Sequence, residues 1–471
     1  MKPSMGRRGF IASITVILLI LLSACQAATV TPSAQPAVNI QTATPTATPL
    51  PGHLDLSGDD LEGQNLTLWS PWLEDRGEQL SYLVEDFNQT NDYGVTIALV
   101  PWGGDMALLD GLTGVLTEPD ALPDLFITAP EEAFSLQAAG LPLIALDEYL
   151  ASPEWGFSDE EQADLIVPVW QLGQTGGNQY GVPAETNARF LFYNLTWGLE
   201  LGFNNPPRDH EDFLLQACMA EQANLKDGTR ENNGTGGWLV TNDAASMLAW
   251  LMAFDFPVPT GAPYVFDLPE VKSGLDYLKN LEIKGCAWLG KASTPYDYLT
   301  TRYALLVSGS LEEVRQQRAA FSQAGSTDQW LLIPYPCQSG DPRMLLDGSD
   351  YFLVSSEPGR QMAAWVFLRW MSDPLQQVRM SQVTGTWPGR QSAVSVLQAE
   401  WSADLIYSYV FSAMSSLQPA PHDAGWSIAR RVFEDAAWQL FQPETRADGI
   451  PTLLTDLDAT LLELLDLGGQ E

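Results

Sequence analysis

The chain has 471 residues, with 23 Lys and Arg against 59 Asp and Glu, three His, four Cys and 16 Trp. So acidic a protein lacks the basic surface that phosphate backbones require, which excludes nucleic acid as a partner. At 45% apolar residues it can bury large cores, and the roughly 400 residues that follow an uncharged N-terminal stretch are enough for two or three domains.

The N-terminus reads as an export signal. Lys2, Arg7 and Arg8 precede an apolar run from Phe10 to Leu22, and Ser23, Ala24 and Cys25 follow. The run is short for a membrane span, which needs about 20 residues. Residues 1–24 are therefore expected to be removed, leaving 20 basic residues against 59 acidic ones and a net charge near −39. Arg7-Arg8-Gly9-Phe10-Ile11 is also compatible with twin-arginine export, so the route stays open. From Gln26 to Leu54 there is no charged residue, and Thr, Ala and Pro dominate. Such a composition cannot bury a core and reads as a tether, assigned here to residues 25–60.

Beyond Asn65 strand-like and helical patterns alternate. Leu66–Trp69 and Val95–Val100 are predicted strands, with Leu80, Leu83, Val84 and Phe87 at helical spacing between them. A helix carrying Leu108, Leu109, Leu112 and Leu116 leads to a strand over Pro123–Thr128. Ser158 and Glu161 form a candidate capping box, and Asp209 a candidate helix cap. Tyr180–Pro183, Phe190–Tyr193, Tyr303–Val307, Trp330–Tyr335 and Tyr351–Val354 supply further strands. Pro358 opens a helix, and Leu453, Leu454, Leu457, Leu461, Leu464 and Leu465 mark a terminal one. Strand and helix in turn predict an α/β fold with largely parallel sheets.

Several segments, in order, resemble the family of extracellular solute-binding proteins that includes maltose-binding protein. They are Leu66-Thr67-Leu68-Trp69 and Leu122-Pro123-Asp124-Leu125-Phe126 near the start, then Tyr180-Gly181-Val182-Pro183 running on to Leu191-Phe192-Tyr193-Asn194. Later come Tyr303–Ser310, Pro358–Met371 and Thr384-Gly385-Thr386-Trp387-Pro388. The resemblance implies a two-lobe periplasmic-binding-protein fold of type II, with mixed sheets flanked by helices and the ligand cleft between lobes. It places residues 61–184 and 340–388 in an N-terminal lobe and 185–339 and 389–471 in a C-terminal lobe. It also implies a monomer that delivers a small molecule, a sugar, to an ABC importer permease. Leu22-Ser23-Ala24-Cys25 resembles a lipobox, implying an acylated Cys25 that anchors the protein on the outer face of the cell membrane.

A sugar presents an apolar C–H face and a rim of hydroxyls, so stacking indoles and nearby amide or carboxylate partners are the expected binding groups. Trp72, Trp102, Trp238, Trp387 and Trp426 are the stacking candidates, while Trp69, Trp250 and Trp365 sit in core-like patterns. Glu185 matches a sugar-binding carboxylate of maltose-binding protein, and Asn187 extends the same polar edge. Glu74, Thr128, Gly309 and Ser310 are added because they lie where strands end. The chain departs from maltose-binding protein between Glu185 and Tyr193, and at the Gly309 turn, which lacks an aromatic. Cys218 and Cys286 fall in one predicted lobe and are the expected disulfide, three buried thiols being the alternative.

Catalysis is not expected, nor any cofactor or metal. No two His stand at zinc spacing and no Gly-x-Ser-x-Gly occurs. Gly285–Lys291 fits Gly-x4-Gly-Lys, but Ala292 stands where a P-loop needs Ser or Thr. Two alternatives remain open. One is an exported polysaccharide-active enzyme using paired carboxylates. The other is a binding protein for a cationic solute such as a polyamine, which stacking aromatics also serve.

Overall fold

The computed structural model describes residues 54–290, 295–338 and 343–468. The export signal, Cys25 and the tether up to residue 53 lie outside the described residues, as does Lys291 of the Gly-x4-Gly-Lys match. Folded structure begins before residue 61. Leu54 and Leu56 already pack against the first core, and the Ser57 N–H donates to Asp60 Oδ2 at 2.8 Å.

Twelve strands are present among the described residues: β1 (Asn65–Ser70), β2 (Thr96–Pro101), β3 (Leu125–Thr128), β4 (Gln174–Thr175), β5 (Asn178–Gln179), β6 (Gly181–Asn194), β7 (Gly236–Val240), β8 (Ala287–Leu289), β9 (Ala304–Ser310), β10 (Trp330–Ile333), β11 (Met344–Leu353) and β12 (Leu417–Pro419). Ten of them run on in the order β2-β1-β3-β11-β6-β9-β7-β8, with β10 on β6 and β12 on β11. β1 is parallel to β2 and β3, and β7 is parallel to β8 and β9. These two parallel groups are the sheets of two lobes.

β6 and β11 join them. Gly181–Ala188 pairs antiparallel with β11, whereas Arg189–Tyr193 pairs with β9 and Leu191–Asn194 with β10. β11 in turn pairs with β3 through Asp350–Leu353. A third passage follows the helix Pro374–Thr384, where the Trp387 N–H donates to the Thr186 carbonyl at 2.6 Å.

Separate hydrophobic cores explain the split. In the first lobe, Leu80, Leu83, Val84 and Phe87 of the helix Glu74–Thr90 meet Met362, Trp365 and Phe367 of the helix Pro358–Met371. Asp124, the acid after Pro123, locks that second helix: it takes three contacts from the Arg360 guanidinium at 2.7–3.0 Å and the Thr67 N–H at 2.8 Å. In the second lobe the core collects Trp238, Trp250 and Phe266 under the helices Trp426–Leu440 and Ile450–Gly468. The terminal helix buries Ile450, Leu454, Leu457 and Leu461 at alternating spacings of four and three. Cys218 and Cys286 form a disulfide here, tying the helix His210–Lys226 to the start of β8, and Cys337 is buried.

The expected capping box at Ser158 and Glu161 and the Asp209 cap are both present. Two expectations change. The strands read at Tyr180–Pro183 and Phe190–Tyr193 are one strand of 14 residues, because the polar stretch Glu185-Thr186-Asn187 stays extended and pairs with Asp347–Ser349. Trp238, expected to stack on the ligand, lies within β7 and is fully buried.

Candidate functional site

Between the lobes lies a cavity of about 940 Å³, within the range of small-molecule sites. The first lobe contributes the turn Pro71–Arg76 after β1, Asp105 and Met106 at the start of the helix Asp105–Val115, and Thr128–Glu132 at the end of β3. The crossing strands form its floor with Glu185, Asn187, Arg189 and Asp347–Ser349. The second lobe closes it with Asp243–Ala245, Glu312, Arg315 and the segments around His422 and Trp426. Glu74 opens its helix at φ +52°, a left-handed conformation uncommon outside glycine, within the turn that lines the cleft.

Six of the sequence-predicted residues come together in this wall: Trp72, Glu74, Thr128, Glu185, Asn187 and Trp426. Both indoles line the cavity, one from each lobe, and both are largely buried, Trp72 at 6% and Trp426 at 3% exposed. Each is also packed behind: Trp72 has the Arg76 guanidinium 5.9 Å from its ring, and Trp426 has Tyr264 at 5.3 Å. Thr128 Oγ1 is buried without a partner, and Asn187 Oδ1 accepts the Glu312 N–H at 3.4 Å.

The other candidates lie elsewhere. Trp238 is a core residue donating Nε1 to Ser308 Oγ at 3.2 Å. Trp387 is buried between Thr186 and Phe411 on the third passage. Trp102 packs on Trp69 with ring centroids 4.5 Å apart, outside the cleft lining. Gly309 lines a side compartment of about 430 Å³ that shares Arg189, Asp243, Glu312 and Gln316 with the main cleft. Ser310 is buried next to it, donating to Glu313 Oε2 at 3.0 Å.

Sequence reasoning missed the arginines. Arg76 reaches Glu185 Oε1 at 3.0 Å and, across the cleft, Glu312 Oε2 at 2.6 Å. Arg315 bridges back to Asp75. On the opposite side Arg430 of the second lobe meets Glu132 at 3.2 Å and Glu131 at 3.7 Å in the first. Arg189, on the crossing strand, holds Asp347 at 2.5 Å. Their one sequence signal was rarity: in so acidic a chain, Arg189 interrupts an otherwise apolar half-strand.

Burial dominates the acids of the floor. It pushes Glu185 up to about 8, against the opposing charge of Arg76, and Glu312, Asp105 and Asp347 raise it further. Burial also pushes Glu131 up to about 7, with Arg430 opposing. Among the described residues no group of His, Cys, Asp and Glu has the arrangement of a metal site.

A two-lobed sheet with a solvent cleft over its crossing strands is the geometry of a protein that closes on a solute. Residues 82–407 match the family model for bacterial extracellular solute-binding proteins. The chain belongs to this family. Among solved structures, the cyclic alpha-maltosyl-1,6-maltose binding protein of Arthrobacter globiformis superposes with a TM-score of 0.70 at 18% identity, covering 84% of this chain and 98% of its own. The sugar-binding protein MalE of Xanthomonas citri gives 0.70 at 18% identity, covering 87% and 100%. UgpB of Mycobacterium tuberculosis, solved with glycerophosphocholine, gives 0.67 at 15% identity, covering 85% and 98%. At such identities the likeness establishes the two-lobe fold that these solute-binding proteins share. No curated protein matches the chain in sequence.

Proposed function

We propose that this solute-binding protein captures a carbohydrate in its interlobe cleft and delivers it to the permease of an ABC importer. The observation that carries the reading is the wall itself: Trp72 and Trp426 enter one cavity from opposite lobes, beside the hydrogen-bonding edge of Glu185, Asn187 and Thr128. Indoles bordering a polar rim fit the two chemistries of a pyranose ring, its apolar C–H surface and its hydroxyls. Sugar-binding proteins with the same fold support the assignment.

The cleft binds without catalysis in this reading. Glu185, Asp347 and Glu132 pair with arginines rather than standing apart as an acid and a nucleophile across an open gap. Cys25 carries the lipid anchor after removal of residues 1–24, and the uncharged segment lifts the folded part away from the bilayer. No helix of the described residues is long and apolar enough to cross a membrane. The protein acts as a monomer, with residues 61–184 and 340–388 in one lobe and 185–339 and 389–471 in the other.

Isothermal titration against mono- and oligosaccharides, with product analysis of the same mixtures, tests the proposal. Saturable binding of one sugar class without cleavage is expected, together with a rise in melting temperature equivalent to about 2.7 kcal/mol at a hundredfold excess over Kd. New reducing ends would make it an enzyme, and silence toward every saccharide would remove the carbohydrate assignment.

A further inference from the structure

The charge lining the cleft is unbalanced. Ten carboxylates and five arginines face the cavity. Three of the five arginines are shared rather than matched: Arg76 serves both Glu185 and Glu312, Arg189 both Asp347 and Asp243, and Arg430 serves Glu131, Glu132 and Glu434. Even with Glu185 and Glu131 protonated, eight carboxylates face five guanidinium groups.

The surplus converges on Glu185. Only 7% exposed, it points one oxygen at Arg76, while the other, Oε2, is buried with no hydrogen-bond partner although the residue lines the cavity. Asp105, Glu312 and Asp347 all act on it electrostatically and Arg76 is the one cation opposing them. A buried carboxylate oxygen without a donor is costly unless something arrives to satisfy it. A sugar hydroxyl offers one proton and no charge, whereas an ammonium offers three donors and the missing positive charge.

We infer that the solute carries a protonated amino group, seated against Glu185 and within reach of Asp105, so that the cleft selects amino sugars over neutral or N-acetylated ones. This deepens the carbohydrate reading and rests on it. Burial holds Glu185 protonated near neutrality, so its charge joins the surplus only when a cation is seated beside it. An incoming ammonium reverses that preference, so the Glu185 carboxyl gives its proton to the buffer as the ion pair forms.

The experiment titrates the purified protein with the glucosamine trimer, its N-acetylated counterpart, maltotriose and spermidine. It is run at about pH 6, below the ordinary range of an amine, in two buffers of different ionisation heat. The glucosamine trimer is expected to bind at least about tenfold tighter than the N-acetylated one, equivalent to about 1.4 kcal/mol. Its binding should weaken with salt and release a proton. In Glu185→Gln the affinity ratio should collapse toward one. Asp105→Asn, an exposed position at a helix start, should lower the ratio without risk to folding. Equal or tighter binding of the N-acetylated or neutral trimer overturns the amine inference and leaves the carbohydrate reading standing. A response to spermidine alone overturns the carbohydrate reading and supports amine recognition, and no response to any of the four overturns both.

Discussion

Arg430 spans the cleft, and replacing it with Gln should loosen the closed arrangement. Its guanidinium sits on the helix Trp426–Leu440 of the second lobe and reaches Glu131 and Glu132 at the head of the helix Pro130–Ala138 in the first. Exposed ion pairs contribute about 0.2–1 kcal/mol each. Here the two carboxylates are 13% exposed and the guanidinium 34%, so two pairs near the upper end of that range give about 1–2 kcal/mol. A change of that size alters a two-state ratio by a factor of roughly 5–30. Because the pairs form only when the lobes meet, the loss belongs in the dissociation rate of the bound solute. Stopped-flow tryptophan fluorescence is the assay, and koff should rise by that factor in Arg430→Gln. The single variant also leaves Glu131, Glu132 and Glu434 facing one another, which exaggerates the effect. A cycle with Glu132→Gln separates the pair from the repulsion and should return a coupling of about 0.5–1 kcal/mol. An unchanged koff, or a coupling near zero, would refute the idea that this contact holds the lobes together.

Burial and covalent cross-linking elsewhere in the fold set three further outcomes. Asp350, on crossing strand β11, is pushed up to about 8 by burial, with Glu131 adding to it. A folded-state pKa above the ordinary value means that stability is greatest at acid pH and falls as pH rises toward 8. The melting temperature should therefore be higher at about pH 5 than at about pH 8, and Asp350→Asn should flatten that slope; an unchanged slope assigns the pH dependence to other groups. Cys218→Ser with Cys286→Ser opens a loop of 68 residues and should cost about 4 kcal/mol in denaturant unfolding. Trp387→Ala should cost about 3–5 kcal/mol of stability, because the indole is 2% exposed in a packed core. Trp426→Ala should in addition weaken solute binding, so the two variants separate when affinity is compared at a temperature where both are folded.

The amino-acid sequence by itself determined the local elements. Apolar spacing placed the helix Glu74–Thr90 by Leu80, Leu83, Val84 and Phe87, and the terminal helix by its leucines. Short-range chemistry placed the Ser158 capping box, the Asp209 cap and Pro358 at the start of its helix. These are decided within a few residues of chain, so they are legible without a fold. It also placed the cleft residues that lie at strand ends, Trp72, Glu74 and Thr128, since the end of a strand in an α/β sheet is where its ligand site forms.

Only the tertiary structure decided which of the buried tryptophans border the cleft. Trp238 and Trp387 read like Trp72 and Trp426, yet the first is covered by Trp250 and Phe441 and the second by Phe411. The polar run Glu185-Thr186-Asn187 read as a break and is strand, because pairing with β11 and contact with Arg76 outweigh its weak β-propensity. The arginine network was invisible for the same physical reason: Arg76 and Glu312 are separated by 236 residues and meet because two lobes close over one cleft. Charge can be counted along a chain, but which charges are left without a partner is fixed by distances that only the folded chain creates.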